Sequence, residues 1–311
     1  MTTNSHEAES GRERLMAIGL MLCAVVTFTC LDTTAKYLVT TASLPVSEVV
    51  WVRFTAHALF TFVLLRGLGR RATLKSKKPG QQALRSLFMF GATALNFLAL
   101  KYLQLDQTVT IFFLTPLLVA ALAGPLLGEW VGWRRLLAIL VGFAGVLIVI
   151  RPGFGGIHWA ASLSFLAMIC YALYNISTRY LSRYDPPEVT QLYTPLAGIL
   201  LMAPLAFLDW QMPSGLTIWL ILATLGFWGG LSHWLLILAH RHAPAPVLAP
   251  FIYIDLLTNS VMQYFVFGDV PSPWTLAGGA VVITSGLYLL ARERKAEPGK
   301  DGGPASDIAA L

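Results

Sequence analysis

Nine side chains carry most of the chemistry that this chain keeps away from water: Asp32, Lys36, Trp51, Arg53, His57, Asn96, Asn175, Tyr253 and Asp255. Each lies in or at the end of a stretch of about 20 mostly apolar residues, the length of a bilayer crossing. A polar group there costs several kcal/mol unless it is paired or faces water. Asp255, near the middle of its stretch with Asn259 one turn on, can be neutral when protonated and charged when released. That chemistry suits proton movement, and a structural hydrogen bond or a salt bridge to Arg53 is the alternative. A guanidinium cannot shed its charge, so Arg53 needs Asp32 or Asp255 as a partner, or an anionic or carbonyl group of a solute. Trp51 and His57 share its segment. Asp32 and Lys36, four residues apart, share one helix face and could form an intrahelical ion pair or a binding surface. His57 and His233 each read as packing histidines with one hydrogen bond.

The elements that must position these groups are apolar helices. Stretches of crossing length start near Leu15, Pro45, Gln81, Asp106, Gly132, Ile157, Pro186, Gly215, Pro244 and Pro273. Of the 311 residues 56% are hydrophobic and 12% charged, with a mean hydropathy of +0.66. A soluble fold of this length cannot hide that much apolar surface. The loops are a few residues long and marked by Pro, Gly or charge, so successive helices are antiparallel neighbours. A polar head over residues 1–14 and a tail over 296–311, expected to be disordered, flank the helices.

Basic residues set the orientation. Eighteen of the twenty-two Lys and Arg, including Arg12, Arg14, Arg85, Arg134, Arg179 and Arg241, fall on the side shared by the two termini. The positive-inside rule makes that side cytoplasmic. Trp159, Trp210, Trp219 and Trp274 near the outer ends, with Trp130 and Trp133 at the inner face, fit an interfacial belt.

The chain also matches itself. Lys36-Tyr37-Leu38 returns as Arg179-Tyr180-Leu181, Ala99-Leu100-Lys101 as Ala239-His240-Arg241, Gly128-Glu129 as Gly268-Asp269, and Trp133 with Gly145 as Trp274 with Gly286. Each copy, over 15–150 and 157–290, holds five crossings. An odd number forces the copies to lie inverted, the plan of many secondary transporters. The expected fold is therefore all-α, a polytopic membrane protein of ten transmembrane helices in two inverted five-helix repeats.

Other classes find little support. There is no His-Glu-x-x-His, Gly-x-Ser-x-Gly or phosphate loop, and His240 and His242 diverge on a helix. Cys23, Cys30 and Cys170 sit in apolar stretches and suggest neither disulfides nor a metal site. The net charge of +6 is spread over short loops and does not build a nucleic-acid surface. No enzyme, cofactor or metal is expected. Pro116, Pro195 and Pro250 fall inside crossings and are expected to kink them.

The run Phe112-Phe113-Leu114-Thr115-Pro116-Leu117-Leu118, then Leu127-Gly128-Glu129, Gly142 to Gly145 and Ile150-Arg151-Pro152-Gly153, resembles the first repeat of EamA-type transporters of the drug/metabolite transporter superfamily. Ala249-Pro250-Phe251-Ile252-Tyr253, Phe267-Gly268-Asp269 and Ser285-Gly286-Leu287-Tyr288 resemble the second, and the match runs from Leu15 to Leu290. The resemblance implies a central cavity bounded by the first, third, fourth, sixth, eighth and ninth spans and opening alternately to either side. Trp51, Phe112, Tyr174, Trp228 and Tyr253 would line it. Within the superfamily the chain is most similar to bacterial inner-membrane members linked with uptake of riboflavin or S-adenosylmethionine. The partners implied are a small-molecule substrate, membrane lipid and protons. An exporter of amino acids or toxic metabolites, or a non-transporting sensor or scaffold, is the alternative.

Overall fold

The computed structural model describes residues 2–69, 75–103, 105–150 and 159–268, with short pieces between 273 and 288. The tail from 296, the turn at Arg151-Pro152-Gly153, Arg70, Arg71 and Asp269 lie outside these residues. All regular structure among the described residues is helical. In lipid each backbone amide must find its partner within its own segment, which leaves helices as the form an apolar run of this length can take.

The first repeat opens with α1 (Thr2–Thr40), α2 (Val46–Gly67) and α3 (Pro79–Leu100). The polar head is the beginning of the same helix as the first span. Pro45 caps α2 and Pro79 starts α3, where the missing N–H would be unsatisfied anyway. The fourth span is two helices, α4 (Leu105–Phe112) and α5 (Thr115–Leu127), and the fifth is α6 (Trp133–Ile150). The second repeat follows with α7 (Ala161–Leu181), a seventh span split into α8 (Pro187–Tyr193) and α9 (Leu196–Leu208), and α10 (Gly215–His242). Its ninth span is α11 (Ala245–Leu248), a 3₁₀ segment (Ala249–Ile254) and α12 (Asp255–Phe267). The tenth span is described only in pieces. The prolines expected to kink helices break them: Pro116, Pro195 and Pro250 each stand just past a break or inside the tight 3₁₀ segment.

The architecture is the all-α membrane fold of ten spans in two inverted repeats, and its packing obeys the same symmetry. The first span lies along the eighth as the third lies along the sixth. Likewise the second meets the eighth as the seventh meets the third, and α5 and α12, the second halves of the fourth and ninth spans, pack on α7 and α1. Small residues bring these helices close. A Cβ at Gly226 would stand 2.3 Å from the Ala56 methyl, and one at Gly198 would stand 2.1 Å from the Phe54 ring. Gly128 and Gly268 end α5 and α12 at equivalent places with φ of 73° and 75°, the left-handed conformation that glycine adopts without strain. Glu129, just past the first of these caps, accepts from Arg179 at 2.7 Å, from Arg183 at 2.8 Å and from the Ala245 amide at 3.1 Å. One carboxylate thereby ties the end of the fourth span to the end of the sixth and the start of the ninth.

Candidate functional site

The breaks in the fourth and ninth spans place two helix starts inside the bundle. α5 begins at Thr115 and α12 at Asp255, equivalent positions of the two repeats. α12 runs on from the 3₁₀ segment with its first amides already bonded to the Ile252 and Tyr253 carbonyls, so what favours an acidic side chain in its first turn is the positive end of the helix dipole. Asp255 is that side chain. Its Oδ1 accepts from the Thr29 hydroxyl of α1 at 2.8 Å, and Thr29 and Thr258 share a hydroxyl hydrogen bond of 2.6 Å. Thr115, its counterpart, is fully buried with its hydroxyl unpartnered.

Asp255 faces a cavity between the repeats. Val25, Phe28, Leu31 and Asp32 come to it from α1, Arg53 from α2, and Met89, Thr93, Asn96 and Phe97 from α3. Phe112 and Phe113 from the break in the fourth span, Tyr171 from α7 and Ile252 complete the wall. Four of the nine residues singled out by sequence, Asp32, Arg53, Asn96 and Asp255, thus meet in one place. The Asn96 amide reaches Asp32 Oδ1 at 3.4 Å, a long contact. The cavity measures about 80 Å³. Pockets that take drug-sized ligands run from about 300 Å³ upward, so a metabolite enters only when the helices part.

Arg53 is the unusual member of this wall. It is 1% exposed, and its guanidinium stands 4.5 Å over the Phe54 ring. Neither Asp32 nor Asp255 lies within ion-pair distance of it, which corrects the expected carboxylate pairing. One nitrogen meets His233 Nε2 at 3.0 Å, while Nε and the other terminal nitrogen are buried without a partner. A buried cation with open donors is costly unless something anionic or carbonyl-rich satisfies it.

Behind Arg53 runs a continuous buried hydrogen-bond chain. Arginine can only donate, so His233 Nε2 accepts, and the neutral ring must carry its hydrogen on Nδ1. That N–H points to the Tyr174 hydroxyl oxygen at 2.9 Å. Arg85 donates to the same oxygen at 2.6 Å and stacks its guanidinium 4.3 Å over the Tyr174 ring. The remaining donors of Arg85 go to the Thr178 hydroxyl at 2.7 Å, the Thr194 hydroxyl at 2.9 Å and the Thr190 carbonyl at 3.2 Å. Gln82 continues the chain from the Thr190 hydroxyl at 3.1 Å to the Asp185 carboxylate at 2.8 Å. There the Lys77 amide and the Ser76 hydroxyl also donate. Burial pushes the Asp185 carboxyl upward, yet these three donors outweigh it and hold it below the ordinary carboxylate value.

Sequence reasoning missed much of this chain. Arg85, read as one of the loop cations, is fully buried. His233, read as a packing histidine, joins two elements through both ring nitrogens. Nothing in the sequence pairs Arg85 with Thr190 and Thr194, because contact between helices cannot be read from one chain's order.

The other candidates stand elsewhere. His57, fully buried, stacks on His233 with ring centroids 5.5 Å apart and meets Gln191 at 2.9 Å, behind the cavity wall. The Lys36 ammonium stands 5.0 Å over the Phe267 ring. Trp51 packs on Phe207 and Trp210, with centroids 5.0 and 6.2 Å away. Asn175 donates to the Tyr171 carbonyl at 2.8 Å and faces a separate small pocket with His240. Tyr253 donates to the Ile139 carbonyl at 3.2 Å and packs on Gly142. Of the expected aromatic lining only Phe112 faces the cavity; Phe28, Phe97, Phe113 and Tyr171 supply the rest, and Tyr174 and Trp228 do not line it. The second span, through Arg53, takes the place expected of the eighth.

Comparison with known proteins agrees with this architecture. The EamA-like transporter family matches the chain twice, over residues 15–151 and 158–292. A riboflavin transporter of Vibrio cholerae is 30% identical over 88% of this chain and 93% of its own. An S-adenosylmethionine uptake transporter of Rickettsia felis is 28% identical over 91% and 95%, and a pseudopaline exporter of Pseudomonas aeruginosa is 25% identical over 88% and 96%. A solved crystal structure shares the fold at a TM-score of 0.71 with 18% identity, covering 88% of this chain and 98% of that one. A doubled family match, a broken span in each repeat and a charged cavity between them make one conclusion: the chain belongs to the EamA-like transporter family, membrane proteins of two helical repeats that carry small molecules.

Proposed function

We propose that the protein takes up a small organic metabolite across the bacterial inner membrane by alternating access, with both termini cytoplasmic and no catalytic step. The observation that carries this reading is the pair of unpartnered, buried donors on Arg53, a residue of the cavity wall that also includes Asp32, Asn96 and Asp255. Arg53 binds a carboxylate, phosphate or imide carbonyl of the solute. Phe28, Phe112 and Tyr171 hold a planar portion, and Asp255 exchanges a proton with the solute's passage. The repeats over 15–150 and 157–290 act as the two rocking bodies, and lipid anchors their outer faces. Riboflavin and S-adenosylmethionine are the first solutes to try, since relatives that align along nearly the whole chain are named for them.

The test is uptake of labelled riboflavin, and separately of labelled S-adenosylmethionine, by cells unable to make or import them. Accumulation that requires this protein and is lost in Arg53→Gln supports the reading. Equal uptake with and without the protein, for both solutes, contradicts it.

A further inference from the structure

We propose that Arg85 and Tyr174 are positioning residues for Arg53, acting through His233, so that the hold of Arg53 on a solute depends on how the third, sixth and seventh spans are packed. The consequence for transport rests on Arg53 being the solute-binding group. The relay itself rests on geometry alone.

Arg53 is anchored at one point, His233 Nε2, and its other donors are open. The anchor exists only while Nε2 has a free lone pair. Should the imidazole hydrogen move to Nε2, two donors would face each other and the guanidinium would lose its partner. The hydrogen is held on Nδ1 from both sides, by the Arg53 donor at Nε2 and by the Tyr174 hydroxyl oxygen that accepts at Nδ1. That oxygen is fixed in turn by Arg85, whose planar fork also reaches Thr178 on α7, the Thr190 carbonyl in α8 and Thr194 at the break between α8 and α9. His233 cannot escape by tilting. Its ring is stacked on His57, nearly parallel at 3°, and meets the edge of Phe28 at 4.8 Å.

The relay therefore spans two environments. At one end is the cavity; at the other is a clamp that joins three spans in the half of the bundle bearing the basic loops. Opening that half requires α3 to leave α7 or the α8–α9 break, which undoes the Arg85 fork. Tyr174 then loses its fixed position, His233 its preferred tautomer, and Arg53 its anchor. Solute is held while the clamp is shut and loosened as it opens.

Two measurements on the full chain in lipid separate the relay from the transport reading. The first is nitrogen NMR of histidine-labelled protein, with the His233 signal assigned by its loss in His233→Gln. The wild type should show His233 as the Nδ1–H tautomer, and Tyr174→Phe, which keeps the ring but leaves the Nδ1 hydrogen without an acceptor, should shift the Nδ1 signal and raise the Nε2–H fraction at the expense of the Arg53 contact. An unchanged signal in Tyr174→Phe overturns the relay, whether or not any solute is bound. The second is a double-mutant cycle on binding of riboflavin or S-adenosylmethionine, whichever the wild type binds. Tyr174→Phe and Arg85→Gln should each raise Kd about tenfold, equal to about 1.4 kcal/mol, with Arg85→Lys in between. In an Arg53→Gln background they should add nothing, whereas fully additive effects overturn the proposal. Absence of binding by the wild type to either solute counts against the choice of substrate, and the NMR result then decides the relay.

Discussion

Thr115 and Asp255 begin the second halves of the broken fourth and ninth spans, at equivalent positions of the inverted repeats, and only one of them is ionisable. The fold repeats; the charge does not. Both positions present a helix start toward the centre of the protein, yet Asp255 faces the cavity under a hydrogen bond from Thr29 while Thr115 is buried with its hydroxyl open. The asymmetry places the ionisable group in the second repeat, where it sits opposite Asp32 and Arg53 of the first.

Asp255→Asn removes the exchangeable proton while keeping the size of the side chain. Uptake driven by a pH gradient in vesicles is expected to fall about tenfold or more, whereas solute exchange without a gradient persists, because binding groups remain and coupling is lost. Thr115→Val, which keeps the shape of the side chain, should leave gradient-driven uptake nearly unchanged. Equal gradient-driven uptake by Asp255→Asn and wild type would remove Asp255 from the coupling role.

At Gly198 and Gly226 the helices touch where a side chain would have to be. Gly198→Ala puts a methyl into the Phe54 ring and Gly226→Ala puts one into Ala56, and overpacking of this kind costs about 1–3 kcal/mol. Gly19, with nothing within 4 Å of an added Cβ, serves as the control. Thermal unfolding in detergent should show clear losses for the first two and none for Gly19→Ala.

The loop carboxylate Asp185 gives a pH dependence with a definite sign. Its value is held below that of a free aspartate by Ser76, Gln82 and the Lys77 amide, against the opposing effect of burial. The released chain therefore takes up a proton before the folded one does. The stabilisation is complete above the ordinary carboxylate range and is lost as pH falls through the lower, folded value. Unfolding temperature measured from neutral to acid pH should fall less steeply in Asp185→Asn than in the wild type, with the two curves converging at the acid end.

How much of this was legible in the sequence follows from what each feature costs. Apolar length gave the spans because the bilayer fixes it, and the duplicated Gly128-Glu129 and Gly268-Asp269 marked helix ends because only a left-handed cap needs glycine there. Asp32, Arg53, Asn96 and Asp255 were found because a polar group at depth demands a reason. Depth alone does not tell which way a side chain faces on a helix that is apolar all round, so Trp51, His57 and Tyr253 satisfy the same rule and yet face other helices. Asn175 shows the limit of the symmetry argument. It repeats Asp32, but inversion carries the equivalent position into the opposite half of the membrane, beside His240 and away from the cavity. Arg85 stands two turns into its helix near a basic loop, where a long side chain ordinarily reaches back to water. Its partners lie on α7 and at the α8–α9 break, and only the fold brings them to it.

Whether Arg53 reads the solute is decided by equilibrium binding to purified protein in lipid. Riboflavin and S-adenosylmethionine are titrated against wild type, Arg53→Gln and Arg66→Gln, a change in the last turn of α2. The solute that binds wild type and Arg66→Gln alike should bind Arg53→Gln at least about a hundredfold more weakly, the scale of a lost charge-assisted pair, while Arg53→Gln remains folded by thermal unfolding. Wild-type affinity in a folded Arg53→Gln would contradict that role.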